Sequence, residues 1–220
     1  MAPVFNDEEH VFRSEKFQSV LEDAVRFFSQ TPVRPLPPGD RFIGPGVYGI
    51  YYIGDFPPYG QLSLMNDPTC SLPIYVGKAV PKGWRTGRSP RIMRNDLHGR
   101  LAQHARSISQ AEDYAIRTGV SQYIRLVDFR CRFMILKEAE SDLIAPAEAA
   151  LIRMYNPLWN HDVAGFGLHD VGKKRLDQLR TMWDTLHPGR SWTVKLTGPS
   201  PDLEKILAII AQALQNLPLA

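Results

Sequence analysis

The chain has 220 residues, 44% of them hydrophobic, and its 26 lysines and arginines outweigh 23 aspartates and glutamates to leave a formal net charge of +3. That composition excludes disorder as the default and suits one domain with a sizeable core, or one domain with extensions. A charge of +3 says little about partners by itself, so the distribution of the basic residues carries the information.

In chain order, the first ten residues have neither the basic start nor the apolar run of a signal peptide, and no stretch is long and apolar enough to span a bilayer. Glu15 to Gln30 predicts an amphipathic helix, with Phe17, Val20, Leu21, Ala24, Val25 and Phe28 near helical spacing and Thr31-Pro32 ending it. Pro32 to Pro45 reads as a rigid proline-rich connector. Gly46 to Gly54, dense in β-branched and aromatic residues, predicts a strand, and Asp55 to Ser71, with its prolines and glycine, a loop.

Leu72 to Ala79 predicts a second strand, and Pro81 to Pro90 an exposed segment whose arginines lack acidic neighbours. Asn95 or Asp96 can cap a helix running to about Tyr114. Phe129 to Leu136 alternates apolar and basic residues as a third strand, and Ala145 to Tyr155 is a helix stopped by Asn156-Pro157. His161 to Arg175 reads as a loop and Leu176 to Leu186 as another helix. Asp202 to Leu217 closes the chain as an amphipathic helix with Leu203, Ile206, Leu207, Ile210 and Leu214 on one face, read as core with a dimer contact as the alternative.

Cys70 and Cys131 are the only cysteines, and neither has the spacing of a zinc site or a disulfide framework, which fits a reducing cytoplasm. Between Lys78 and Arg106 stand Lys82, Arg85, Arg88, Arg91, Arg94 and Arg100, opposed by Asp96 alone. This is a local cationic surface.

The polar residues form an ordered set. Gly46-Val47-Tyr48 and Tyr75-Val76-Gly77 place tyrosines on successive strands; Arg100 and His104, four apart, share one helix face. Glu148 then stands among alanines and small apolar residues, and Asn160 follows it. One carboxylate is enough for a magnesium ion, which keeps most of its waters and takes its other oxygens from a substrate phosphate. Phosphodiester hydrolysis needs an in-line water, charge stabilisation at phosphoryl oxygens and help for the leaving oxygen, and Tyr, Arg, His and a metal-bound Glu can supply these. Tyrosine, with a reference pKa of about 10, must be activated before it takes a proton.

These ordered residues resemble the GIY-YIG nuclease superfamily over roughly Pro45 to Asn160. Within it the chain is most similar to the type II restriction endonuclease family whose best-known member cuts the palindrome CCGCGG. That closer similarity rests on Arg130-Cys131-Arg132-Phe133-Met134-Ile135-Leu136, Pro157-Leu158-Trp159-Asn160, Gly165-Phe166-Gly167 with His169-Asp170, and Trp183 through Trp192.

The resemblance implies an α+β fold, a small antiparallel three-stranded sheet flanked by helices, with N- and C-terminal helical extensions. The whole chain, 1–220, would be one endonuclease domain, with a catalytic core of about 45–160 between extensions 1–44 and 161–220. Tyr48 is implied as general base or water-positioning group, Tyr75 as its phosphate-contacting partner and Arg100 as the charge stabiliser. His104 would position or activate Tyr48, Glu148 would hold Mg2+, with Mn2+ able to substitute, and Asn160 would brace the site. Lys78 is a further phosphate-binding candidate, and Lys82, Arg85, Arg88, Arg91 and Arg94 are the candidates for DNA contact, reading bases or phosphates as a group.

Residues 49–54 read Gly-Ile-Tyr-Tyr-Ile-Gly without a break, which imitates the superfamily name but cannot be two paired strands. Both Gly46-Val47-Tyr48 and Gly49-Ile50-Tyr51 can serve as the first half; Tyr48 is chosen because Pro45 precedes it. The stretch 55–71 and the arginine segment after Gly77 are expected to be extensions embracing DNA.

The function so implied is Mg-dependent cleavage of double-stranded DNA at a palindromic, GC-rich, CCGCGG-like site, in a bacterial cytoplasm, by a homodimer matching the two-fold symmetry of its target. A DNA methyltransferase of the same restriction-modification system would share the site without having to bind the nuclease. The competing expectations are a structure-specific or homing nuclease and a non-cleaving DNA-binding module.

Overall fold

Ser14 opens the first helix by accepting a hydrogen bond from the Phe17 amide at 3.2 Å in the computed structural model, which describes residues 6–80, 96–168, 177–215 and 217. This helix, α1 (Glu15–Gln30), ends where the Thr31 hydroxyl bonds the Phe28 carbonyl at 2.8 Å and Pro32 forbids another turn. Leu21 and Phe28 of its apolar stripe are buried, while Phe17 and Val20 remain exposed.

The sheet has the order β1-β4-β2-β3, antiparallel throughout. Its centre is β2 (Gly46–Tyr52), paired with β3 (Tyr75–Ala79) on one side and β4 (Phe129–Ile135) on the other. The three expected strands form, and a fourth joins them: β1, the two residues Arg34–Pro35, against the outer edge of β4. It lies in the stretch read as a connector. Its proline hides the pairing from sequence, since proline cannot donate to a ladder and is tolerated only at such an edge.

All seven residues of β2 are buried because helices cover both faces of the sheet, which explains why its pattern does not alternate. On one face Tyr48, Ile50 and Tyr52 join a core with α3 (Asp96–Thr118), α5 (Leu158–His161), α6 (Met182–Leu186) and α7 (Leu203–Gln215). On the other, Val47, Val76 and Met134 meet Leu21 and Phe28 of α1 and Ile144, Ala147 and Leu151 of α4 (Ile144–Tyr155). Helix α4 stops at Asn156, which adopts a left-handed conformation with φ of 43° ahead of Pro157.

Three segments differ from their sequence readings. Residues 55–71 hold a 3-10 turn at Pro57–Tyr59 and a short helix, α2 (Gly60–Asn66), because prolines are at home in a first helical turn. Fully buried Asn66 then ties α2 to the sheet, donating to the carbonyls of Tyr52 (3.1 Å) and Leu72 (2.9 Å) and accepting from the Leu72 amide (2.8 Å). The helix expected from Leu176 starts only at Met182, where Thr181 caps it by accepting from the Asp184 amide. In α7 the buried stripe is Ile206, Ile210 and Leu214; Leu203 and Leu207 face solvent.

Candidate active site

The register of β2 and β3 puts Tyr48 opposite Gly77, and the Tyr48 ring lies across that glycine. A side-chain carbon at residue 77 would collide with the Tyr48 hydroxyl, so the second triplet must end in glycine. The neighbouring Tyr75 points to the same face, two residues along β3, with ring centroids 6.2 Å apart.

Helix α3 presents its buried stripe, Leu97, Leu101, Ala105 and Ile108, to this face. His104 sits in that stripe at 2% exposure, and its Nε2 lies 2.6 Å from the Tyr48 hydroxyl. The imidazole stacks on Phe166 at 4.6 Å, and Tyr75 packs edge-on against both rings, 5.2 Å from His104 and 5.1 Å from Phe166. One turn earlier, half-buried Arg100 bonds Gln103 Oε1 at 2.8 Å and the Gly167 carbonyl at 3.2 Å. Gly167 is itself pressed against the Tyr75 hydroxyl, where no Cβ fits.

Burial raises the pKa of Tyr48 well above the usual tyrosine value; the proximity of Tyr75 adds to this, Arg100 opposes it by charge and hydrogen bonding, and the Glu148 carboxylate raises it further. Tyr75 is raised by the same burial, against the charge of Arg100. Both phenols are therefore neutral near pH 7 in this state of the site.

Glu148 approaches from the other face of the sheet. Its Oε2 accepts from the Lys78 ammonium, and both side chains are largely covered. Lys78 follows Val76 on the α4 side of β3, opposite in sense to the two tyrosines. Asn160 hydrogen-bonds the backbone of β3, not the tyrosine hydroxyls. It covers the free edge of β3: its Oδ1 accepts from the Val76 amide at 2.8 Å and its Nδ2 donates to the Val76 carbonyl at 2.9 Å. With the Trp159 amide on the Ile74 carbonyl at 2.9 Å, α5 stands in for a missing neighbour strand.

Of the two tyrosines open to the first triplet, Tyr48 meets His104. Tyr51 lies on the opposite face, its ring 5.9 Å from the Arg132 guanidinium, and is also raised by burial. Lys82, Arg85, Arg88, Arg91 and Arg94 lie outside the described residues, as do His169 and Asp170.

One part of the site escaped the reading of single residues. Arg190, 1% exposed, makes a two-pronged ion pair with buried Asp184, Nε to Oδ1 and Nη2 to Oδ2, each at 2.6 Å. It also donates to the carbonyls of Gly165 (2.9 Å), Phe166 (3.0 Å) and Leu168 (3.2 Å), with its guanidinium 4.8 Å from the rings of both Trp183 and Trp192. This arginine holds the turn that supports His104, Tyr75 and Arg100. The signal in the sequence was the Trp183–Trp192 stretch, without any hint of which residue mattered.

A family model described as the Eco29kI GIY-YIG domain matches residues 40–214. No curated protein matches the chain. The match runs from before β2 to the last turn of α7 and takes in the tyrosine strands, the Arg100–His104 helix and the Arg190 turn alike, and the chain belongs to the Eco29kI GIY-YIG domain family, a family of nucleases.

Proposed function

We propose that the protein is a type II restriction endonuclease, hydrolysing double-stranded DNA with Mg2+ at a palindromic, GC-rich site of the CCGCGG kind. The observation that carries this reading is the Tyr48 hydroxyl at 2.6 Å from His104 Nε2, with Tyr75 and Arg100 against the same pocket.

With Nε2 unprotonated, His104 accepts the Tyr48 proton. As water attacks phosphorus its proton passes to Tyr48 Oη while the Tyr48 proton passes to His104, so the phenol need not ionise beforehand. The bond from phosphorus to the 3′ oxygen breaks in line, and that oxygen takes up a proton from solvent. Arg100 faces the charge that builds on the phosphoryl oxygens, and Tyr75 donates to one of them. Asn160 keeps β3 in register with β2, so that the tyrosines stay aligned.

The donor chemistry at Glu148 fits the expected metal. The carboxylate already faces a cation, the Lys78 ammonium, and a hard ion needs little more from the protein than one such group. Among the described residues no three His, Cys, Asp or Glu side chains converge, so the other ligands would be waters and DNA oxygens. When bound, Mg2+ neutralises phosphoryl charge and polarises water. Lys78, released from Glu148, turns to a neighbouring phosphate.

Residues 81–95, with their lysine and arginines, are proposed as the segment that embraces the target; residues 55–71 are tied to the sheet by Asn66. A palindrome calls for a homodimer, one active site per strand, and self-protection calls for a methyltransferase of the same specificity. The test is Mg-dependent cleavage of methylation-free plasmid by the natural protein, Glu148→Gln and Tyr48→Phe, with the fragment ends sequenced. Discrete ends lost in both variants support the reading. Retarded but uncut DNA with the natural protein would leave a binding module instead.

A further inference from the structure

Beside the catalytic cluster, α3 and the 190–192 turn enclose an open cleft of about 250 Å3. Arg100, Gln103, Ser107 and Gln110 lie at i, i+3, i+7 and i+10, so they form one stripe of α3 along its floor, and exposed Arg106 flanks it. Ser191 and the half-buried ring of Trp192 make the opposite wall.

The cleft is cationic. Among the described residues it is lined by Arg100, Arg106 and Arg190 and by no aspartate or glutamate. Arg190 carries its own counter-charge, the buried Asp184. Among the described residues, the side chains of Arg106, Ser107, Gln110 and Ser191 make no hydrogen bond or ion pair to protein. Four donors around an open cleft, with no acid to answer the arginine, suit an anion of extended shape.

We propose that this cleft seats the DNA backbone next to the cleaved phosphate, with Arg106 and Ser107 holding the neighbouring phosphate of the strand being cut. The proposal rests on the DNA-cutting reading of the Tyr48 site. From Arg100, facing the cleaved phosphate, to Ser107 the helix rises about 10.5 Å, so side chains on one straight stripe of α3, with the long chains of Arg100 and of flanking Arg106, can reach neighbouring phosphates of the same strand. The contact is to backbone and carries no sequence information.

The experiment measures binding by fluorescence anisotropy to two duplexes, one containing CCGCGG and one scrambled, over a range of salt, with Ca2+ in place of Mg2+. Arg106→Gln should weaken both equally, by roughly tenfold, the loss of one charged hydrogen bond. It should also flatten the plot of log affinity against log salt by about 0.9. Ser107→Ala should weaken both by a few-fold with the slope unchanged, since a neutral donor releases no counterion. Arg117→Gln, an equal charge loss on the same helix but outside the cleft, should change neither.

Unchanged binding by Arg106→Gln, a loss matched by Arg117→Gln, or a loss confined to the CCGCGG duplex would each overturn the proposal. Binding as expected without cleavage in Mg2+ would defeat the nuclease reading while leaving the cleft a backbone site. Failure of the natural protein to bind either duplex would defeat both.

Discussion

The hydroxyl of Tyr48, on the central strand, and Nε2 of His104, in the middle of a helix 56 residues later, lie 2.6 Å apart in a buried pocket. A strand tyrosine and a core-facing histidine are each unremarkable; at hydrogen-bond distance beside Arg100 they form the proton path proposed for cleavage. Tyr48→Phe should therefore abolish cleavage while leaving DNA binding nearly unchanged and costing only about 1–2 kcal/mol of stability, measured by plasmid nicking, DNA binding and equilibrium unfolding. Wild-type cleavage after that change would remove Tyr48 from the mechanism.

The arginine beside this pair has an electrostatic task. Arg100 lowers the pKa of a phenol that burial raises, so its loss makes Tyr48 a still weaker acid. Arg100→Ala should therefore lower the cleavage rate at saturating DNA as well as weaken binding, since it removes charge that faces both the phosphoryl oxygens and the Tyr48 proton path. An unchanged rate at saturating DNA would confine Arg100 to binding.

Among the described residues Glu148 pairs with Lys78, whose side chain remains 30% exposed, so Glu148→Gln should cost about 1 kcal/mol of stability. It should nonetheless abolish cleavage and the Mg2+-induced rise in melting temperature. Chelation of the natural protein should reproduce the first effect. Persistence of the Mg2+ shift in the variant would place the ion elsewhere.

Two pairs of changes separate scaffold from chemistry. Arg190→Ala strands a buried Asp184 and should cost about 3–5 kcal/mol. Gly167→Ala, at the half-buried turn that Arg190 holds, should leave most stability intact yet displace the Tyr75 hydroxyl and depress cleavage. Asn160→Ala frees both backbone groups of Val76 and should cost about 2 kcal/mol, with Asn160→Asp intermediate because it keeps the acceptor.

Stability should fall at both ends of the pH scale. Tyr59 accepts from Trp159 Nε1 and so donates to His187 Nε2, which must be neutral; burial lowers the His187 pKa to about 3. This contribution is complete above pH 6.5, the unfolded value, and is lost as pH falls toward 3, by about 1.4 kcal/mol per unit. At the alkaline end Tyr48, Tyr51, Tyr52 and Tyr59 are all raised by burial, so above pH 10 the unfolded chain ionises first and stability falls at a similar rate per tyrosine. Urea midpoints from pH 4 to 11 test both limbs, and His187→Gln should flatten the acid one.

The sequence announced its elements where local chemistry is decisive. Helix α1 runs over the residues expected and ends at Thr31, Asn156-Pro157 stops α4, and the runs from 46, 72 and 129 hold the three main strands. It misled where local signals and packing diverge. Prolines at 35, 57 and 58 masked an edge strand and a helical turn, and in α7 periodicity alone could not say which neighbouring stripe, that of Ile206 or that of Leu203, would be covered.

By itself, then, the chain determined which residue types stand in which order: two tyrosine triplets, an Arg-His helix pair, a glutamate and an asparagine, enough to carry the family resemblance. Only the tertiary structure decided who meets whom. It turned Tyr48 toward His104 and Tyr51 away, sent Glu148 to Lys78, set Asn160 on the edge of β3, and gave Arg190 the turn beneath Phe166. The reason is physical: strand and helix periods fix the face a side chain takes, but the partner on that face comes from register and helix packing, which join residues far apart in the chain.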